Sequence, residues 1–247
     1  MKKKAIIIGA SSGIGEALAY VLDNESYSVG LVARRESLLK EIQQKLKNKS
    51  FTKKIDITDI NAHVKLQELI DEMKDVDLII INSGIGFRDS YKEWSDSNFT
   101  WEKEKNTVLT NILGFAEMAL YSYNYFLKKG KGHIVGVSSI ASLVPNPYTP
   151  SYSASKAFVS NFLASLRIAA FKSKKDIVVT DIIPGFVDTP IIKNNDKVYW
   201  MATVKKAANQ IFLAILKKKK KAYITKRWAL IAYFAKILPE SLLKRAL

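Results

Sequence analysis

Four aliphatic residues, Ala5-Ile6-Ile7-Ile8, run directly into Gly9-Ala10-Ser11-Ser12-Gly13-Ile14-Gly15. The segment Glu16 to Leu22 that follows reads as a helix. A short apolar run bounded by glycine is the pattern of a parallel strand buried on both faces. Strand, glycine-rich turn and helix start are the parts of a phosphate cradle. Glycines let the backbone come close to a pyrophosphate, while free N–H groups and the helix dipole favour the anion. The spacing is Gly-x3-Gly-x-Gly rather than the commoner G-x-G-x-x-G, but the strand before it and the helix after it are the required flanks.

The rest of the chain alternates in the same way. Ser28 to Ala33 reads as a strand ending at Arg34-Arg35, and Leu38 to Leu46 as a helix. Phe51 to Ile55 is a strand leading to Asp56-Ile57-Thr58. After a helix over Ala62 to Met73, the strand Val76 to Ile81 ends in Asn82-Ser83-Gly84. Phe87 to Thr100 is irregular, and one long helix is expected from Trp101 to about Leu127. His133 to Val137 is a strand ending in Ser138-Ser139, and Ser151 is the expected N-cap of the next helix. Ile177 to Ile183 is a strand ending in Pro184-Gly185-Phe186-Val187-Asp188-Thr189-Pro190. Ile191 to Trp200 lacks a period and reads as a mobile lid. A helix over Ala202 to Leu216, a lysine run and a short strand over Ala222 to Thr225 complete the alternation. The expectation is an α/β protein with a Rossmann-like, doubly wound parallel sheet of about seven strands flanked by helices, with ligands at the strand C-terminal ends. A single domain over 1–247 is expected, with 226–247 as a basic, amphipathic helical tail.

Composition narrows the chemistry. The 247 residues contain no cysteine, which excludes disulfides, thiol catalysis and Cys-based zinc sites. His63 and His133 stand apart, read as surface or strand-edge residues, and no metal site is expected. No run of about eighteen apolar residues occurs, so no membrane span is expected and a cytoplasmic location is the default. The net charge is +16. Its lysines are scattered over helices, without a reading helix or an aromatic platform, so specific nucleic-acid binding is not expected.

Tyr152 and Lys156 sit four residues apart, so on a helix both project from one face. A neighbouring ammonium favours phenolate, which yields a general acid or base able to work near neutral pH. The end of the second strand is where a dinucleotide fold meets the adenine ribose. An acid there suits NAD and an arginine suits the 2′-phosphate of NADP. Only Arg34 and Arg35 are present, and guanidinium matches phosphate. Asn111 lies within an apolar helix face, where its amide must find partners, structural or functional.

Together these motifs resemble the short-chain dehydrogenase/reductase family over residues 5 to 225. Gly9, Ser11, Ser12, Gly13, Ile14 and Gly15 look like its cofactor loop, and Asn82-Ser83-Gly84 like its Asn-Ala-Gly motif. Asn111, Ser139, Tyr152 and Lys156 fall where its catalytic tetrad does. Pro184, Gly185, Val187 and Thr189 are similar to the segment that holds the nicotinamide. Ile8, where threonine is usual, and Ser83, where alanine is usual, depart from the pattern at positions of loop support. The resemblance implies that Tyr152 exchanges the proton with a carbonyl oxygen held by Ser139. It implies that Lys156 lowers the tyrosine pKa and bonds the nicotinamide ribose, and that Asn111 anchors a water beside Lys156. Arg34, with Ser11 and Ser12, would bind the 2′-phosphate, and Asp56 would meet the adenine amino group. It also implies a homodimer or homotetramer through the helices bearing Asn111 and Tyr152.

Beyond residue 225, an apolar stripe of Leu230, Ile231, Phe234, Ile237 and Leu238 is interspersed with basic residues. Two placements are open. In one, the tail lies peripherally on an anionic membrane through 217–247, with Trp228 at headgroup level. In the other, it packs on the protein's own substrate cleft or on a partner subunit. The expected activity is NADP-dependent reduction of an apolar or lipid-like carbonyl, or oxidation of the matching alcohol. The alternatives are a 3-oxoacyl reductase acting on carrier-linked substrates and a non-catalytic, NADP-sensing binding protein.

Overall fold

The computed structural model describes residues 2–86, 101–147, 149–190 and 200–230. Seven strands form one sheet: β1 (Lys4–Ile8), β2 (Ser28–Ala33), β3 (Ser50–Lys54), β4 (Leu78–Ile81), β5 (Lys131–Val137), β6 (Asp176–Pro184) and β7 (Lys221–Ile224). All neighbours pair in parallel, in the order β3-β2-β1-β4-β5-β6-β7. Every residue of β2 and β4 is buried, as are the last four of β1. Strands covered on both faces need apolar side chains at successive positions, which is why they read as continuous aliphatic runs.

Parallel neighbours require crossovers, and helices supply them. On one face lie α1 (Gly13–Asn24) and α2 (Glu36–Lys45), and the late helix over Val204–Leu216 joins them, burying Leu18, Leu22, Leu39, Ile211 and Ile215 against the sheet. The other face carries α3 (Ala62–Met73), then α4 (Trp101–Val108) joined through a π-helical turn (Leu109–Gly114) to α5 (Phe115–Lys129), and α6 (Pro150–Ser173). Its core includes Leu66, Leu69, Phe115, Phe126 and Leu163. The helix over Val204–Leu216 is α7. Each fully buried side chain of this size contributes about 1.5–3 kcal/mol relative to exposure. The chain winds from β1 outward to β3, then returns to β4 on the other side of β1. This reversal opens a crevice at the C-terminal ends of β1 and β4, where ligands bind in such sheets.

Four local expectations are corrected. The single helix from Trp101 to Leu127 is two helices broken by the π turn, and Asn111 sits in that turn with its amide bonded outside the helix. Such single-turn π insertions re-aim side chains at functional sites. The helix expected to be capped by Ser151 begins at Pro150, with Thr149 at its N-cap. Proline is at home at the first helical position because it has no N–H to satisfy. Ser151 instead donates its backbone N–H to the carboxylate of Glu104, 3.1 Å away. Glu104 is itself buried, so a neighbouring helix supplies the anion at this helix start. His133 is no surface residue: it is buried within β5, its Nε2 2.8 Å from the Thr180 hydroxyl. Burial pulls its pKa down to about 4, so it is neutral at pH 7. Finally, β7 starts at Lys221, one residue earlier than expected. The irregular stretch 87–100, most of the expected lid (191–199) and the tail helix (231–247) lie outside the described residues.

Candidate active site

The crevice is a cleft of about 400 Å³. At one end is the glycine cradle. Gly9 has φ +92°, a backbone conformation that side chains resist, and a Cβ there would lie 2.6 Å from the Ser83 nitrogen. Gly15 has even less room, since a Cβ on it would stand 2.0 Å from the Gly9 carbonyl oxygen. These two positions bring β1 and the first turn of α1 together so that Ser11, Ser12, Gly13 and Ile14 face the cleft. The early N–H groups of α1 have no partners within the helix and remain suited to an anion. Asn82, at the end of β4, donates its side-chain N–H to the Gly9 carbonyl at 2.9 Å and ties the cradle to the neighbouring strand.

At the end of β2 the two arginines divide the work. Arg35, not Arg34, reaches the cradle: its Nη2 donates to the hydroxyls of both Ser11 and Ser12, each at 2.9 Å. Arg34 pairs with Asp56 at 3.6 Å, and Asp56 also accepts from the backbone and hydroxyl of Thr58. Successive side chains of an extended backbone point in opposite directions, so only one of two adjacent arginines can turn toward the serines. The sequence shows the pair but not its orientation: the contact with Ser11 and Ser12 expected of Arg34 is made by Arg35.

At the other end the reactive groups converge. Ser139 follows β5 and its hydroxyl accepts the Ala141 N–H at 3.2 Å, which fixes its rotamer over a short 3₁₀ turn. Tyr152 and Lys156 lie on the first two turns of α6, with the ammonium 5.7 Å from the phenol ring centroid. Lys156 is almost fully buried and donates to the Val137 carbonyl at 3.0 Å. Burial pulls its pKa down to about 8, and the negative charge of Asp181 works in the opposite direction. Asn111 accepts from the Ile85 N–H at 2.9 Å and donates to the Ile85 carbonyl at 2.8 Å and the Ser155 hydroxyl at 3.1 Å. Its amide therefore fastens the β4 loop to α6. Gly84 in that loop lies against Lys156, its Cβ position 3.1 Å from the ammonium nitrogen.

Pro184, Gly185, Val187 and Thr189 line the facing wall. Of the residues expected from sequence, Gly15 and Asn111 lie just behind the cleft surface, while the others line it. Trp228 does not stand ready for a membrane headgroup. It is 8% exposed and packs edge-on against Phe186 and Trp200, with ring centroids 5.2 and 5.9 Å away. Its indole presses on Gly185 so closely that no Cβ would fit there. Burying so large a ring beside the cleft wall removes more apolar surface from water than a headgroup position would. Among the described residues, no helix is long and apolar enough to cross a membrane.

A glycine cradle at the switch point of a doubly wound parallel sheet, with a tyrosine and a buried lysine at its far end, defines a dinucleotide-dependent oxidoreductase. The chain belongs to the short chain dehydrogenase family, whose model matches residues 3–200. It is 31% identical over 225 residues to a fatty acyl-CoA reductase of Acinetobacter baylyi, covering 89% of this chain and 75% of that one. Its fold is similar to that of a 3-ketoacyl-(acyl-carrier-protein) reductase from Brucella melitensis complexed with NADH, with TM-score 0.78, 20% identity and coverage of 90% and 94%. It is also similar to a short-chain dehydrogenase from Sphingobium yanoikuyae in complex with NADPH, with TM-score 0.76, 19% identity and coverage of 93% and 92%.

Proposed function

We propose that the protein is an NADP(H)-dependent reductase of apolar carbonyl compounds that also runs the reverse oxidation of the secondary alcohol. The observation that carries the cofactor choice is Arg35 held between the hydroxyls of Ser11 and Ser12. One guanidinium and two hydroxyls form a donor set suited to a phosphate at the ribose 2′ position. The cleft bordered by Gly9, Ser11, Ser12, Gly13 and Ile14 fits a dinucleotide pyrophosphate, and Pro184, Gly185, Val187 and Thr189 would border its nicotinamide. The cofactor, when bound, supplies the hydride.

The chain's own residues do the rest. Ser139 holds the carbonyl oxygen and polarises it. Tyr152 gives that oxygen its proton at the phenol Oη. With a pKa near 8, Lys156 is mostly an ammonium at pH 7 and favours the phenolate left behind. Asn111, bound to Ile85 and Ser155, keeps the β4 loop and α6 in register around that lysine. The resemblance to a fatty acyl-CoA reductase supports an apolar, chain-like substrate.

Tryptophan fluorescence quenching by NADPH and NADH tests the cofactor reading. Wild type is expected to prefer NADPH, and Arg35→Ala to weaken NADPH by about 10–100-fold, the loss of one or two charge-assisted bonds. Arg34→Ala should cost less, because Arg34 is engaged by Asp56. Equal binding of NADH by wild type would sink the 2′-phosphate reading. Turnover of carrier-linked but not free ketones would favour a 3-oxoacyl reductase, for which the basic surface is a suitable dock. Binding without any turnover would favour a sensor.

We also propose a homodimer through the π turn, α5 and α6. Leu113, Leu120, Ile168 and Phe171 are exposed on these adjoining segments, Phe171 at 86%. Apolar side chains clustered this way mark a contact between copies. Sedimentation should give a dimer or tetramer for wild type and a monomer for Leu120→Glu with Phe171→Glu. A monomeric wild type would refute the interface.

A further inference from the structure

Asp181 takes no part in the roles assigned above, yet it is the most deeply buried carboxylate among the described residues, with 0% exposure in the middle of β6. A buried charge is costly unless it is paired and hydrogen-bonded. One oxygen of Asp181 accepts from the Ser138 hydroxyl at 2.6 Å, and the other from the Ser160 hydroxyl at 2.5 Å. Both partners adjoin the reactive groups. Ser138 stands between Val137, whose carbonyl holds Lys156, and Ser139. Ser160 is one helical turn beyond Lys156, on the same side of α6. The carboxylate thus closes a ring that runs from the end of β5 through β6 to α6 and back through the lysine.

We propose that Asp181 is a positioning residue for the reaction: through Ser138 and Ser160 it clamps α6 to the end of β5, and it supplies the buried counter-charge for Lys156. Its charge reaches Lys156, Arg167 on α6 and Tyr223 on β7. The other neighbours of the lysine bring no charge that could substitute. From β5 come the Val137 carbonyl and the hydroxyls of Ser138 and Ser139. The π turn presents the neutral amide of Asn111, and Tyr152 on α6 is the proton donor itself. His133, whose ring bonds Thr180 beside Asp181, is neutral. Of these elements only β6 carries an anion that opposes the desolvation of the ammonium.

The kinetic arm rests on the reductase reading; the structural arm does not. Asp181→Asn keeps the shape and removes the charge, while Ser160→Ala opens the clamp and leaves the charge. An ammonium that loses its anionic neighbour gives up its proton at lower pH. Activity that needs the ammonium is lost as pH rises through that pKa. The alkaline fall in kcat/KM, measured with NADPH and a ketone the wild type reduces, should therefore move down by about one pH unit in Asp181→Asn. Ser160→Ala should lower kcat about tenfold with the fall unmoved, a loss typical of misplaced catalytic groups. Independently of turnover, amide hydrogen exchange over residues 153–160 should quicken in both variants. A wild-type pH profile in Asp181→Asn overturns the counter-charge, and unchanged exchange in folded Ser160→Ala overturns the clamp. Wild-type protein that turns over no ketone would sink the reductase reading while the exchange experiment still decides the clamp.

Discussion

Replacing Tyr152 with phenylalanine is expected to lower kcat for ketone reduction by about 10²–10⁴-fold, the usual worth of a positioned general acid. The substitution removes one oxygen and keeps the ring. That ring packs on the backbone at Gly86, where a Cβ would lie 2.9 Å from the tyrosine Cδ2, so the phenylalanine should remain seated. NADPH affinity should change by no more than the worth of one hydrogen bond, about 0.5–1.5 kcal/mol. Steady-state rates and fluorescence titration on the same preparation separate the two effects. Wild-type turnover in Tyr152→Phe would move the proton-transfer role to another group, with Ser139 the first to test.

The second large effect is expected at the cradle. Gly15→Ala should weaken NADPH binding by about 100-fold or more, about 3 kcal/mol. The added methyl would meet the Gly9 carbonyl at 2.0 Å and the Asn82 amide at 2.7 Å. Neither neighbour can retreat at low cost, because one is backbone and the other holds that same backbone in place. The loop must open, and the N–H groups of α1 then lose their aim. Calorimetric titration with NADPH measures the loss. Near-native affinity would show that the cradle does not hold the pyrophosphate.

The strand-and-cradle half of this site was legible because its physics is local. Buried parallel strands demand aliphatic runs, and a backbone that must approach another backbone demands glycine. Tyr152 and Lys156 were legible because helical geometry alone makes them neighbours. What escaped depends on contacts between distant segments. The choice of Arg35 over Arg34 follows from which side chain turns toward Ser11 and Ser12. The π turn at Asn111 has no periodicity of its own, and α5 beyond it supplies an ordinary apolar stripe. Asp181 was hidden inside a largely aliphatic strand, and nothing within that strand announces Ser138 and Ser160 as its partners. Trp228 looked like a surface anchor because the residues around it are basic, whereas its pocket is formed by Gly185 and Phe186 more than forty positions earlier.

The winding of the sheet away from β1 in two directions has a consequence for how this protein can change. Strands β1 to β3 carry the cradle, Arg34, Arg35 and Asp56, while Ser139, Tyr152 and Lys156 belong to β5 and α6. On the proposed reading, nucleotide choice and reactive chemistry are thus inherited from opposite wings of one scaffold, joined by the Asn82–Gly9 bond. Altering the arginines could retune which electron pool the protein draws on without disturbing a single group that touches the carbonyl. Exchange of the α6 wing would alter the chemistry and the nicotinamide end, and leave the cradle and the arginines untouched. Such a chain can adapt along two separate axes.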